Sequence, residues 1–200
     1  MDLSVPTCEN WTVDDVVFHV GGVYSHKLAT LRLGRRPGKG DWIVPSEDAS
    51  ASDDLAWCHF MLHALSAELA RRPAEQGSWT WWEPEQTVGF WQRRMAHETA
   101  VHRVDVESAV GPITAVDADL ALDGIDELAT VFLPASGASI PCVEVDRGMV
   151  TVLFDDVEAA GGASDVLLWL WGRLPDEVVA LSGPQARLTE VRAALRAATQ

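Results

Sequence analysis

The sequence predicts an α+β chain in two parts. An antiparallel bundle of long helices occupies residues 1–114, and a small α+β domain occupies residues 115–200. Three observations lead there. Before Pro112, three long stretches repeat apolar residues at helical spacing and end at Gly or Pro. The connections between them are short enough for neighbouring helices to pack against one another. After Pro112 the texture changes to short alternating runs set between helical ones.

The elements follow in order. Thr12-Val13-Asp14-Asp15 puts a cap residue three positions before an acid, a capping box with Asp in the Glu place. Val13, Val16, Val17, Val20, Val23, Tyr24 and Leu31 then recur with helical spacing as far as Leu33. Gly34 stops that helix, and Arg35 to Pro45 is a Gly/Pro-rich loop. A second helix over Ser50 to Arg72 carries Leu55, Phe60, Leu62, Leu65 and Leu69 and ends before Pro73. After a Trp-rich linker, a third helix runs from Pro84 to Ala109 and is closed by Gly111-Pro112. In the second part, Ile125, Leu128, Ala129 and Phe132 mark a short helix over Asp123 to Phe132. Val143 to Asp146 and Val150 to Phe154 read as strands joined at Arg147-Gly148. Ser164 is placed as the cap of a helix through Trp171, Val178 to Leu181 as a strand, and Ala186 to Ala198 as the last helix.

Composition excludes several roles. Asp and Glu number 30 against 15 Lys and Arg, a formal net charge of −15. Such a chain is repelled by phosphate backbones and anionic lipid, so neither nucleic acid nor membrane is an expected partner. The N-terminus MDLSVPTCEN has neither the basic region nor the apolar run of a secretory signal. Cys8, Cys58 and Cys142 are few, odd in number and widely spaced, which fits a reducing cytoplasm and forms no zinc knuckle. Trp79, Trp81, Trp82 and Trp91 cluster before the third helix, as core residues or as the wall of a pocket.

The third helix contains the chemistry. At about 100° per residue, Trp91, Met95, Glu98, His102 and Ala109 fall in one stripe bordered by Val88 and Val106. A buried unpaired carboxylate costs several kcal/mol, so Glu98 must be protonated, paired or metal-bound. Two readings of the pair remain open: a Glu98–His102 hydrogen bond inside a bundle, or two ligands of a divalent metal. His97 and His102 are five apart and do not form the H-E-x-x-H motif. His97 is expected at a packing edge. A metal site needs a further ligand, and His19, at the edge of the first helix's apolar stripe, is the candidate. His26 lies two turns on, and His59 and His63 form a rival i,i+4 pair. Asp105 is placed to orient a ligand imidazole, or else is a surface acid beside Arg103.

Two stretches, V-P-T-C-E-N-W-T-V-D-D-V-V-F-H-V-G-G and R-R-M-A-H-E-T-A-V-H-R-V-D-V-E, resemble the signatures of the mycothiol-dependent maleylpyruvate isomerase family. G-A-S-D-V-L-L-W-L-W-G-R, from Gly162, resembles a helix of that family's C-terminal domain. The resemblance implies a DinB-like helical bundle followed by a small α+β domain. It also implies a divalent metal, usually zinc, on His19, Glu98 and His102, and mycothiol as thiol cosubstrate. The activity implied is isomerisation or S-transfer on a small electrophilic molecule in an actinobacterial cytoplasm. Arg173 is the candidate partner of a substrate carboxylate. The alternative is a non-catalytic metal-binding or ligand-sensing bundle. Family members carry a further helix before V-P-x-C, whereas Met1 here lies four residues before Val5. An apolar groove is therefore expected beside Val16, Val20 and the third helix, which a second copy would cover in a homodimer.

Overall fold

The computed structural model describes residues 2–46 and 49–199, which form two compact units, 1–112 and 113–200. In the first unit, helix α1 spans Val13–Leu33, α2 Ala51–Ala70 and α3 Val88–Val110. Both ends of α1 are set by local chemistry. Thr12 and Asp15 form a reciprocal capping box, and Gly34 closes the helix at φ 66°. Ser50 and Asp53 repeat the capping box at α2. Helix α3 begins at Val88 and not at Pro84, because the Thr87 hydroxyl accepts the Phe90 N–H at 3.3 Å. The residues just before it are tied into a turn, where Gln86 accepts the Thr80 N–H at 3.1 Å.

The directions of the helices follow from their contacts. Along α1, His19 meets Glu98 and Lys27 meets Trp91, so α3 runs antiparallel to α1. Phe18 meets Trp57 and Arg32 meets Glu68, so α2 runs alongside α1 in the same direction, and this pair departs from the antiparallel arrangement expected. The loop between them must therefore return the length of α1. Asp41 braces its first turn by accepting the Gly38 N–H at 2.7 Å and the Arg35 guanidinium at 2.9 Å. Ser25 then clamps the loop to α1, donating to the Ile43 carbonyl at 2.7 Å. Val16 and Val20, at 1% and 8% exposure, are buried, so the expected groove does not lie beside them. Exposed apolar side chains on these helices include Phe18 and Leu33 of α1, Leu55 and Phe60 of α2 and Val110 of α3. Helix α2 buries only Met61, Leu65 and Glu68.

The second unit opens with α4 (Ala118–Glu127), one π turn (Leu128–Phe132) and α5 (Leu133–Ser136). This run starts before the expected Asp123 because Asp117 accepts the Asp119 and Leu120 N–H groups as its cap. Strands β1 (Cys142–Asp146), β2 (Met149–Phe154), β3 (Val157–Gly162) and β4 (Ala180–Ser182) form an antiparallel meander in that order. Arg147 and Gly148 both have positive φ, the geometry of a type I′ hairpin. Strand β3 reads V-E-A-A-G-G, which has one β-branched residue, and no strand is expected there from pattern alone. Helix α6 (Ala163–Leu170) packs on β2, β3 and α4. Ser164 does not cap it. Gly162 stands at the cap, and the Ser164 hydroxyl accepts the Val116 N–H at 3.0 Å. Helix α7 (Gln185–Thr199) closes the unit, with Arg192 over the Trp169 ring at 4.9 Å. Among the described residues no helix is long and apolar enough to cross a membrane.

The adjacent glycines of α1 have opposite surroundings. A Cβ on Gly21 would lie 2.4 Å from the Trp57 ring, whereas one on Gly22 would meet nothing within 4 Å. Gly21→Ala should force α1 and α2 apart at a cost of about 1–3 kcal/mol. Gly22→Ala should stabilise by roughly 0.5–1 kcal/mol, because it adds helix propensity without a clash. Thermal unfolding followed by circular dichroism checks both signs. Equal shifts for the two variants would contradict the parallel packing of α1 on α2.

Candidate metal centre

An N-terminal hook builds one wall of the site. The Val5 N–H donates to the Trp11 carbonyl at 2.8 Å, and the Val13 N–H donates to the Leu3 carbonyl at 2.9 Å. Asn10 takes φ 64° within that turn. The hook lays the Trp11 ring near parallel to the His102 ring, with centroids 6.4 Å apart, and 5.1 Å from the His19 ring. It also brings the Thr7 hydroxyl to Asp105, donating at 2.6 Å.

Helices α1 and α3 supply the three predicted side chains, and the structure brings them together. Glu98 Oε1 lies 3.4 Å from His19 Nε2 and 3.4 Å from His102 Nε2. One ligating atom from each residue lies within 4.8 Å of the others. Ligands at 2.0–2.2 Å around a tetrahedral ion stand about 3.3–3.6 Å apart. Both spacings to Glu98 match that edge, and two imidazoles with one carboxylate are a donor set suited to zinc. Side-chain exposure is 39% for His19, 19% for Glu98, 12% for His102 and 0% for Asp105.

The buried face of α3 is displaced from the expected stripe. It runs through Trp91, Arg94, Met95, His97, Ala100, Val101, Val104 and Asp105, so Glu98 and His102 stand at its border. His97 is not at a packing edge. It is buried, at 2% exposure, because α3 is covered on more than one side. His26 stacks edge-on against Trp42, with centroids 4.9 Å apart, and does not join the triad. His59 and His63 are exposed on α2 with their Nε2 atoms 3.1 Å apart. Trp91 is buried and donates to the Trp79 carbonyl at 2.8 Å, while Trp81 is exposed. A groove of about 880 Å³ is lined instead by Trp11 and Trp42, with Phe18, His19, Gly22 and Lys27 between them. Sequence reasoning missed Thr7, Trp11 and Lys27. Thr7 and Trp11 lie inside the first signature stretch, which is the signal that contained them. Arg173, in the second unit, is buried and donates to the Trp171 carbonyl at 2.8 Å.

The charges of the triad are coupled. Burial alone would raise the Glu98 carboxyl, yet hydrogen bonding to His102 and His19 and the Arg94 guanidinium hold it well below the usual carboxylate range. Burial opposes the charged form of His102, but the hydrogen bond to Asp105 and the charge of Glu98 raise it to about 9. Asp105 accepts from His102 Nδ1 at 2.9 Å, which turns Nε2 toward Glu98.

A helical unit that gathers two imidazoles and a carboxylate beside a groove, joined to a small α+β unit, defines a two-unit protein with a candidate metal centre in its helices. The family model described as "Mycothiol maleylpyruvate isomerase N-terminal domain" matches residues 1–107, and the one described as "MDMPI C-terminal domain" matches residues 119–190. The chain belongs to the mycothiol maleylpyruvate isomerase family. No curated protein and no solved structure matches it.

His102 gives a pH prediction for the ion-free chain. Its folded pKa lies above the unfolded value, so its contribution to stability is complete below about 6.5 and is lost as pH rises through about 9. Asp105→Asn should lower the His102 pKa, because the hydrogen bond that raises it is weakened, and flatten that part of the stability profile. NMR titration of the imidazole, with denaturant unfolding at each pH, reads both. An unchanged His102 pKa in the variant would show that Asp105 does not set its charge.

Proposed function

We propose that the chain is a metal-dependent isomerase or S-transferase that uses mycothiol as its thiol and acts on a small electrophilic substrate. The ion, zinc or another divalent metal, would be held by His19, Glu98 and His102. The observation that carries this reading is the convergence of those three groups, with Glu98 at a tetrahedral-edge distance from both imidazoles, in a member of the mycothiol maleylpyruvate isomerase family. When bound, a divalent ion supplies Lewis acidity that favours the thiolate of a thiol at its remaining position.

The chain's own residues have separate tasks. Asp105 fixes the His102 ring and takes its Nδ1 proton as a hydrogen bond. Glu98 contributes one negative charge, which leaves a divalent centre cationic toward an anionic sulfur. Trp11 packs beside both imidazoles. The groove beside His19 is large enough for a thiol and a small electrophile together. A thiolate that adds to an activated double bond, allows rotation and leaves gives cis–trans isomerisation. One that keeps its new S–C bond, the carbanion left by the addition taking a proton from solvent, gives S-transfer. Arg173 is proposed to meet a substrate carboxylate. A mycothiol-dependent reaction belongs in a reducing, actinobacterial cytoplasm, in keeping with three cysteines that form no disulfide.

His102→Ala should weaken zinc binding beyond the roughly 10–100-fold seen on losing a supporting residue, and abolish thiol-dependent turnover. Its circular dichroism should stay unchanged, since Ala favours helix. Glu98→Gln should bind zinc more weakly and lower the pKa of a thiol that still coordinates. Bound-zinc content and thiol-adduct absorbance measure these. Full zinc occupancy and unchanged activity in both variants would make Glu98 and His102 packing residues. A wild type that holds zinc yet turns over no thiol-dependent substrate would support the ligand-sensing alternative.

A further inference from the structure

Lys27 is a cation that the triad does not use. It is half-buried and lines the groove, and its ammonium lies 3.2 Å from His26 Nδ1 and 4.6 Å from the centre of the Trp91 ring. Among the described residues no carboxylate forms an ion pair with it. Burial draws the lysine down to about 8, with Glu98 and Arg94 of α3 acting in opposite senses, so it is largely charged at neutral pH. His26 adds no charge there. Burial, with Lys27 and Arg36 beside it, pushes that imidazole down to about 4.

The groove is polarised along α1. Glu9 and Asp15 line the end that holds His19, whereas His26 and Lys27 line the other. Apolar side chains, Phe18, Val23 and Trp42, lie along the same groove. His19 and Lys27 are eight residues apart on one helix, about 12 Å along its axis. A half-buried ammonium whose contacts among the described residues are a ring face and a neutral nitrogen gains from an anion. The acids at the opposite end repel the same anion and so orient it.

We propose that the Lys27 end of the groove is a subsite for the carboxylate of a small organic acid, whose apolar body lies along Phe18, Val23 and Trp42 toward His19. This deepens the proposed function by making one groove ligand an organic acid, and it rests on that reading only for the direction of the reactive end. The subsite is built wholly from residues of the first unit.

The test uses the full chain and an uncharged twin of the probe. Isothermal titration of 4-phenylbutyrate and of 4-phenylbutyramide is run on wild type, Lys27→Gln, Lys27→Arg and His102→Ala, each checked for fold by circular dichroism. The wild type should bind the acid about tenfold more tightly than the amide, as one charge-assisted hydrogen bond gives. Lys27→Gln should lose the preference with zinc content unchanged, and Lys27→Arg should keep it. His102→Ala should keep the preference while losing zinc, so a failed metal centre leaves the subsite standing. The proposal is overturned if the acid shows no binding at millimolar concentration, or if Lys27→Gln retains the preference. Loss of the preference in His102→Ala alone would place the acid at the triad and overturn it as well.

Discussion

The carboxylate of Glu98 stands on α3 where most of its water is gone. An isolated charge in such a place costs several kcal/mol. It persists because His19, His102 and Arg94 surround it, each within 3.4 Å. Those neighbours come from two helices, so the arrangement exists only while α1 and α3 keep their antiparallel register. Tyr24 helps to hold that register, its hydroxyl 2.7 Å from Thr99 on the facing helix. The N-terminal hook adds a further constraint through Thr7, Asp105 and Trp11. The first signature stretch thus does three jobs: it caps α1, roofs the imidazoles and anchors the carboxylate behind His102.

Helix α1 is used on every side. Its Gly21 face lets the Trp57 ring approach, which seats α2 close and parallel. Its Gly22 face is left open and becomes the floor of the groove. The long return loop serves the same groove, because the Ser25 clamp sets Trp42 against His26. Packing and binding are therefore divided between adjacent residues of one helix. Helix α2 is the least covered of the three. Its buried stripe ends in Glu68, whose charge is met by Arg32 and Arg72.

The second unit is stabilised in a different way. Helix α6 is apolar almost throughout, and it is covered by the sheet on one side and α4 on another. Trp169 is its central side chain. The indole donates to Asp176 at 2.8 Å, and Arg192 of α7 lies over the ring and donates to the Trp169 carbonyl at 2.6 Å. A fully buried aromatic ring is thus satisfied at its polar edge. The meander needs little from long-range order, since each strand pairs with the next.

The sequence by itself determined what local chemistry decides. The α+β class, the three long helices, the cap at Thr12, the stop at Gly34 and the Arg147-Gly148 hairpin depend on neighbours within a few residues. The candidate residues His19, Glu98 and His102 were also legible, Glu98 and His102 from i,i+4 spacing and all three together from the signature stretches. What only the tertiary structure decided involves contacts across the chain. Periodicity places a residue on a face but cannot say how many faces are covered, so His97 is buried and the centre of the α3 stripe lies elsewhere. Strand β3 is carried by its pairing with β2 and β4, because its small residues have no strand preference of their own. Ser164 has cap chemistry, but its hydroxyl was claimed by Val116, forty-eight residues away. Thr7, Trp11 and Lys27 carry no motif in isolation. They acquire roles only when the hook, the return loop and α3 bring an acid, two imidazoles and an indole to meet them.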